Sequence, residues 1–293
     1  MSMTYGSLLK TGTRSLEKAN IVDARRDAGL LLLAATGKTR SFLFLHSQDV
    51  CEEEQAAQYF QFIERRCSGE PVQYITGSQE FMGLSFEVNP SVLIPRQDTE
   101  TLVEAALDEA EALSRPVRIL DLCCGSGAIA VSVAHYLSEA NVTAADISEQ
   151  SLTTARRNAE KNGVDEQIVF LNSNMFYAFG ESDGLLDAEL FDMILCNPPY
   201  IPTDVIPTLQ KEVAEFEPAG ALDGGTDGLD FYRILAAEAW AYMSPGGLLM
   251  MEIGYDQAAD VCALLQENGH YTGITVLRDL AGKDRVVRCQ KRT

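Results

Sequence analysis

Histidine is scarce: only His46, His135 and His270 occur in 293 residues, scattered over helical or turn segments. They form no pattern that a nucleophilic triad or a metal centre needs, and no role is assigned to them. The seven cysteines, Cys51, Cys67, Cys123, Cys124, Cys196, Cys262 and Cys289, include no C-x-x-C pair of the kind zinc sites use. They read as reduced, mostly buried thiols, and no metal is expected. Long apolar runs are missing too. The best, Gly29 to Ala35, is far too short to span a bilayer, and Met1 to Lys10 lack a basic start followed by an apolar stretch, so a cytoplasmic protein without membrane association is expected. Basic residues are few, 23 Lys+Arg against 43 Asp+Glu, for a net charge of −20. Residues 1–75 hold nine of each sign, so the whole excess lies in 76–293. Such a surface repels polyanions at long range, which argues against a nucleic-acid substrate and for a protein or small-molecule partner.

What is there is ordinary globular material, 46% hydrophobic and 23% charged, in a chain long enough for two unequal domains. From Met3 to about Arg66 the apolar residues recur three or four apart, as in Ala28, Leu31, Leu32 and Ala35, then Ala56, Tyr59, Phe60 and Ile63. That spacing predicts a small helical bundle. Glu52-Glu53-Glu54 fits a helix start, and Ser68-Gly69-Glu70-Pro71 is a turn cluster. The run Phe81 to Val88, with Gly83 near its middle, suggests a short β-hairpin connector, and a helix is expected from Thr99 to Leu113. After Pro116 the pattern alternates. Strands read at Val117–Cys123, Val142–Asp146, Ile168–Asn172, Phe191–Cys196 and Leu248–Ile253. Helices read at Ala128–Leu137, Gln150–Asn162, Leu229–Met243 and Gln257–Asn268. This predicts an α/β fold with a mostly parallel sheet covered on both faces. The last two runs, Gly273–Arg278 and Arg285–Gln290, have room between them only for a turn and should pair antiparallel. The expected organisation is a helical domain over 1–75, a hairpin connector over 76–95 and an α/β domain over 96–293.

Ile119 to Ala128 reads as a strand, a turn holding Gly125 and Gly127, and a helix start, an arrangement that brings backbone close to a ligand. Asp146 ends the next strand, 21 residues beyond Gly125, where a carboxylate can accept both hydroxyls of a ribose. Turn and acid together indicate a nucleoside cofactor. A dinucleotide site prefers G-x-G-x-x-G, but Cys123 and Ala128 occupy the outer positions, which favours S-adenosylmethionine, a cofactor with no pyrophosphate to cradle.

Asn197-Pro198-Pro199-Tyr200 follows the strand Phe191–Cys196, at the carboxyl edge where open α/β sheets bind ligands. The two prolines fix φ and remove donors, so the carbonyls are held rigidly and left to accept. A planar NH₂ suits such a site: the Asn197 side-chain oxygen and the Pro198 carbonyl each accept one N–H, while the Tyr200 ring lies against the plane. An amide nitrogen is a poor nucleophile because its lone pair is delocalised, as the rotation barrier of about 18–20 kcal/mol shows. Two acceptors that draw the hydrogens out of plane return lone-pair density and later stabilise positive charge. An adenine N6 amine fits the same description and stays open as a substrate, as does a non-catalytic module that binds S-adenosylmethionine.

With these residues in hand, the chain resembles the release-factor glutamine methyltransferases, the HemK/PrmC family. The resemblance rests on Gly69-Glu70-Pro71-Val72-Gln73-Tyr74-Ile75-Thr76-Gly77, Leu93-Ile94-Pro95-Arg96-Gln97-Asp98-Thr99-Glu100, Asp121 to Ala130, Asn197 to Tyr200, and Phe216-Glu217-Pro218. It implies a Rossmann-like class I S-adenosylmethionine methyltransferase that methylates the side-chain nitrogen of the glutamine in the Gly-Gly-Gln motif of class 1 peptide chain release factors. The helical amino-terminal domain is implied to hold that protein. Carried over by position, Asp121, Cys123, Cys124, Gly125, Ser126, Gly127 and Asp146 lie along the cofactor, and Asn174-Met175 near its adenine. Asn197 meets cofactor and substrate, and Asn197, Pro198, Pro199 and Tyr200 hold the glutamine, with Asn197, Pro198 and Tyr200 active in catalysis. Two places depart from the family pattern: Cys123-Cys124, which changes the bulk near the methionine end of the cofactor, and Asn174-Met175, where many members carry Asp and an aromatic residue. Glu252, ending a strand before Gly254, faces either the active-site edge or a local backbone group.

Overall fold

The computed structural model describes residues 3–113, 115–180 and 190–293, and the chain forms two compact units. The first comprises Met1–Ser78 with Gln210–Phe216. Its helices are α1 (Tyr5–Lys18), α2 (Ala24–Thr36), α3 (Arg40–Leu45), α4 (Glu53–Cys67) and α5 (Val72–Thr76). Thr4 and Thr39 start α1 and α3 by accepting the N–H groups of Ser7 and Phe42, each at 3.2 Å. The three- and four-residue spacing places Leu8, Leu16, Leu31, Leu32, Tyr59 and Ile63 in one core. Arg66 is buried, with Nε 2.8 Å from Asp27 and Nη2 2.7 Å from Glu212, so it binds the later segment into this unit.

The second unit holds a hairpin, β1 (Ser78–Phe81) and β2 (Leu84–Glu87), then α6 (Glu100–Leu113). The hairpin lies further upstream than Phe81–Val88. Met82 and Gly83 both have positive φ, 50° and 71°, and so form the two-residue turn, which pushes the first strand back to Ser78. There follow β3 (Arg118–Leu122), α7 (Ala128–Tyr136), β4 (Asn141–Asp146), α8 (Glu149–Asn162), β5 (Ile168–Asn172) and β6 (Phe191–Cys196). After α9 (Lys211–Ala214), which belongs to the first unit, come α10 (Asp230–Glu238), β7 (Met243–Glu252), α11 (Ala258–Asn268), β8 (Tyr271–Arg278) and β9 (Asp284–Lys291).

Seven strands form one sheet in the order β5-β4-β3-β6-β7-β9-β8, parallel up to β7, with β9 antiparallel to both its neighbours. Every residue of β6 is buried, as a central strand covered on both faces requires. One apolar layer joins the hairpin, α6, α7 and α8 to the sheet, and the other joins α10 and α11. The expected helix to Met243 stops short. A 3₁₀ turn over Ala239–Tyr242 follows α10, and Met243 already pairs with Phe191, with the register shifting before Leu248 pairs with Met193. Asn158 of α8 is wholly buried. Its Oδ1 accepts Glu87 N–H at 2.6 Å and its Nδ2 donates to Glu87 O at 3.0 Å and Ser126 O at 2.9 Å, linking the hairpin to the turn after β3. All seven cysteines are free, and Cys51, Cys124, Cys196 and Cys289 are buried. Among the described residues no helix is long and apolar enough to cross a membrane.

Candidate active site

Parallel strands place their carboxyl ends on one edge, and there β3, β4 and β6 deliver the turn, the acid and the Asn-Pro-Pro-Tyr segment side by side. The turn winds through positive φ at Cys123 (58°), Gly125 (53°) and Gly127 (78°). Among the described residues, its chain neighbours aside, no atom lies within 4 Å of where a Gly125 Cβ would stand, so the backbone is bare to the space above it. Asp146 does more than face a ligand. Its Oδ2 accepts Gly125 N–H at 2.9 Å and its Oδ1 accepts Ser148 N–H at 2.8 Å. A carboxylate has about four acceptor positions, so roughly two remain for hydroxyls. Burial raises the Asp146 pKa while the two N–H groups oppose the rise.

A cavity of about 180 Å³ opens over this edge, lined by Cys123, Gly125, Asp146, Asn174, Met175, Asn197 and Pro199, with Ser91, Val92 and Leu93 along one lip. A smaller one of about 50 Å³ shares Cys123, Gly125 and Asn197, and adds Cys124, Ser126 and Thr99. The two departures from the family pattern meet here: Cys123 Sγ lies 3.8 Å from Met175 Sδ. The pair is soft and apolar, and it joins the turn to the loop after β5.

Asn197 Nδ2 donates to Thr99 Oγ1 at 3.2 Å. Among the described residues, neither Asn197 Oδ1 nor the Pro198 carbonyl accepts a hydrogen bond, so two acceptors stand ready at the end of β6. The segment is braced from behind. Gln257 Nε2 donates to Tyr200 O at 3.0 Å, and Gly224 and Gly228 let a second loop run against Pro199 and Tyr200. Under it lies a polar network. Glu252 is 1% exposed, and burial pushes its carboxyl up to about 7 against the pull of the Thr99 hydroxyl, the Arg285 guanidinium and the Tyr200 hydroxyl. Arg285 is itself buried and pairs with Asp98 at 3.0 Å and Asp279 at 3.2 Å. Arg96 pairs with the buried Glu217, so two stretches that carried the resemblance, 93–100 and 216–218, are joined by an ion pair.

The expected residues therefore fall into two groups. Cys123, Cys124, Gly125, Ser126, Asp146, Asn174, Met175, Asn197 and Pro199 border the two cavities. Asp121, Gly127, Pro198 and Tyr200 line neither. Asp121 is fully buried beneath the turn, and its Oδ2 accepts Ala130 N–H at 3.0 Å at the start of α7. Burial pushes its carboxyl up to about 8 against that N–H, and the charge of Asp146 adds to the rise. Gly127 is the residue from which α7 starts. Glu252 faces inward, towards Thr99 and Tyr200, and its backbone oxygen accepts from Tyr232 at 2.8 Å. Sequence reading gave Ser91, Val92 and Leu93 no place at the cavity and Thr99 no link to Asn197, although Leu93 and Thr99 lie in a stretch that carried the resemblance, because no local pattern reports contacts with strands so much later in the chain.

Two family patterns match the chain: the PrmC N-terminal domain over residues 7–77 and the Methyltransferase small domain over 97–213. A release factor glutamine methyltransferase of Moorella thermoacetica is 42% identical over 99% of both chains. One of Clostridium botulinum is 37% identical over 99% of this chain and all of its own. Among solved structures, the T. thermophilus 16S rRNA N2 G1207 methyltransferase, a complex with AdoMet and guanosine, superposes with a TM-score of 0.51 at 19% identity, covering 73% of this chain and 50% of that one. The human methyltransferase 10 domain containing protein gives 0.51 at 16% identity, over 72% and 88%. At these identities the structures speak for the fold, that of the class I methyltransferases. Identity of 37–42% along essentially the whole length decides the closer relationship: this chain belongs to the release factor glutamine methyltransferase family.

Proposed function

We propose that this protein transfers a methyl group from S-adenosylmethionine to the side-chain amide nitrogen of the glutamine in the Gly-Gly-Gln motif of class 1 peptide chain release factors. The observation that carries the reading is the pair of unengaged acceptors at the end of β6: Asn197 Oδ1, on a residue that lines a cavity with the Asp146 carboxylate, and Pro198 O, next to it in the chain. The names of the relatives point to the same substrate.

The residues present fit the cofactor. Asp146 retains acceptor positions for two ribose hydroxyls, the bare backbone at Gly125 leaves room for close approach, and Asn174 and Met175 offer an amide and a thioether to an adenine edge and face. The bound cofactor supplies an electrophilic methyl group on a sulfonium. Asn197 Oδ1 and Pro198 O each accept one N–H of the glutamine amide, and Tyr200 supports its planar face. Pulling the hydrogens out of the amide plane returns lone-pair density to nitrogen, and the same acceptors stabilise the charge that nitrogen gains. Proximity supplies much of the rest, and the proton that the nitrogen must lose once it is positive passes to solvent, so no strong base is needed. The helical unit holds the protein substrate. Its apolar groove of about 890 Å³ is lined by Leu9, Ile21, Val22, Leu30, Leu33 and Phe44, with Arg25, Arg26 and Arg40 at the rim.

The test is transfer of labelled methyl to purified release factor. The reading requires label on the glutamine of Gly-Gly-Gln and none on a factor carrying Asn there. Label entering DNA or RNA instead, or cofactor binding without any turnover, would sink it.

A further inference from the structure

The Asn197 amide can face a substrate in two ways, and only one presents the oxygen. Asn197 Nδ2 donates to Thr99 Oγ1 at 3.2 Å, which turns Oδ1 away from Thr99. A threonine hydroxyl carries one proton, and if it accepts from Asn197 it must send that proton elsewhere. The acceptor beside it is the carboxyl of Glu252. Thr99 is 4% exposed and Glu252 1%, so water does not compete for the contact. Glu252 Oε2 has no hydrogen-bond partner among the described residues, which leaves a buried carboxyl that packing alone does not explain.

We propose that Glu252 is a positioning residue: through the Thr99 hydroxyl it fixes the Asn197 amide with Oδ1 towards the substrate. The proposal rests on the reading that Asn197 Oδ1 accepts the glutamine N–H. Ionised Glu252 can only accept, so Thr99 donates to it and must accept from Asn197 Nδ2. Protonated Glu252 can donate instead. Thr99 then accepts from the acid and donates to Asn197, which turns over and presents its NH₂ to another NH₂. The active orientation belongs to the ionised form, so turnover is present at higher pH and lost as pH falls through the Glu252 pKa of about 7. The groups facing this carboxyl are Thr99 and Asp98 from the turn before α6, Tyr200 from the loop after β6 and Arg285 from β9. Tyr232 of α10 bonds only its backbone oxygen. Arg285 favours the ionised form and Asp98 opposes it.

The test uses the full-length enzyme, with Glu252→Gln, Thr99→Val and Thr99→Ser. For the first two, kcat on release factor falls at least about tenfold above pH 8, with KM and cofactor affinity within about twofold, and the acid limb of the kcat profile disappears. Thr99→Ser keeps the hydroxyl and restores both. Wild-type kcat and an unchanged acid limb in Glu252→Gln would overturn the proposal, and so would a fall in kcat matched by a lower Tm with the acid limb intact. A second readout is independent of turnover: the side-chain ¹⁵N–¹H pair of Asn197, identified by its absence in Asn197→Ala, shifts with a midpoint near pH 7 and stops titrating in Glu252→Gln. If wild-type enzyme failed to methylate any Gly-Gly-Gln protein, the functional reading would fall while this signal still decided the network. A pair that did not titrate in wild-type protein would reject the network itself.

Discussion

Asn197 has two chemically different ends, and the site uses both: Nδ2 is tied to Thr99 and Oδ1 is left open. The open oxygen interacts most strongly with an N–H once nitrogen becomes pyramidal and positive, so its contact is worth more in the transition state than in the ground state. Asn197→Ala should therefore lower kcat by at least about 10²-fold, the scale of one lost preorganised contact, while cofactor affinity falls much less. Near-normal kcat on a Gly-Gly-Gln protein would refute the mechanism even with the family membership intact. Asp146 is a different case, because its oxygens hold Gly125 and Ser148 as well as facing the cavity. Replacing it by alanine should weaken cofactor binding by about 1–3 kcal/mol through lost charge-assisted hydrogen bonds, read by calorimetry, and should also loosen the turn. Asp146→Asn should show both effects in weaker form, since one oxygen remains to accept an N–H while the new NH₂ meets the other donor, of Gly125 or Ser148. These residues were legible in the sequence because each stands at the end of an apolar strand in a recognisable local pattern. Thr99 was not. Its contact is with a residue 98 positions later, and no local pattern encodes a partner at that distance.

Elements decide how firmly such residues are held. Most of the sheet could be read from its alternation with helices, because buried parallel strands are short apolar runs bounded by turn residues. Reading failed where a turn overrode that signal: Met82-Gly83 moved the hairpin upstream, and the shifted register at Phe191 and Met193 let β7 begin at Met243. The loop around 224–228 carries no strand or helix pattern, yet it supports the Asn197–Tyr200 segment. A Cβ on Gly228, at φ 74°, would stand 2.3 Å from Tyr200 O and 2.8 Å from Gln257 Nε2. Neither neighbour can give way without moving Tyr200 or breaking the Gln257 hydrogen bond to it. Gly228→Ala should cost about 1–3 kcal/mol of stability, as overpacking and a left-handed backbone at a non-glycine residue do, and lower kcat without touching the substrate. Thermal unfolding and single-turnover rates measure the two parts. If stability fell while the rate held, the loop would be scaffolding only.

At the scale of the molecule the two units differ in charge and in surface. The whole −20 lies outside residues 1–75, so long-range attraction to nucleic acid is weak where the cofactor turn and Asn197 lie, and a protein substrate is the better match. That imbalance was legible in composition, whereas the groove of the helical unit was not, because helical periodicity reports which face is buried and leaves exposed apolar residues looking like noise. Val22 is 95% exposed and Phe44 84%, and both line a groove that also holds Arg25, Arg26 and Arg40 with Glu17 and Asp23. Neither side chain contributes to the core, and together on one apolar groove they offer a patch that a partner can cover. The double variant Val22→Asp, Phe44→Asp should fold with an unaltered Tm and bind cofactor as before, since it removes no buried contact. Its KM for intact release factor should rise about tenfold, equivalent to about 1.4 kcal/mol of lost binding, with kcat at saturation preserved. A short Gly-Gly-Gln peptide, which lacks the rest of the factor's surface, should be methylated equally by wild type and variant. That comparison assigns the effect to docking, because damage to the active site would slow peptide and protein alike. An unchanged KM for the whole factor would remove this groove from substrate binding.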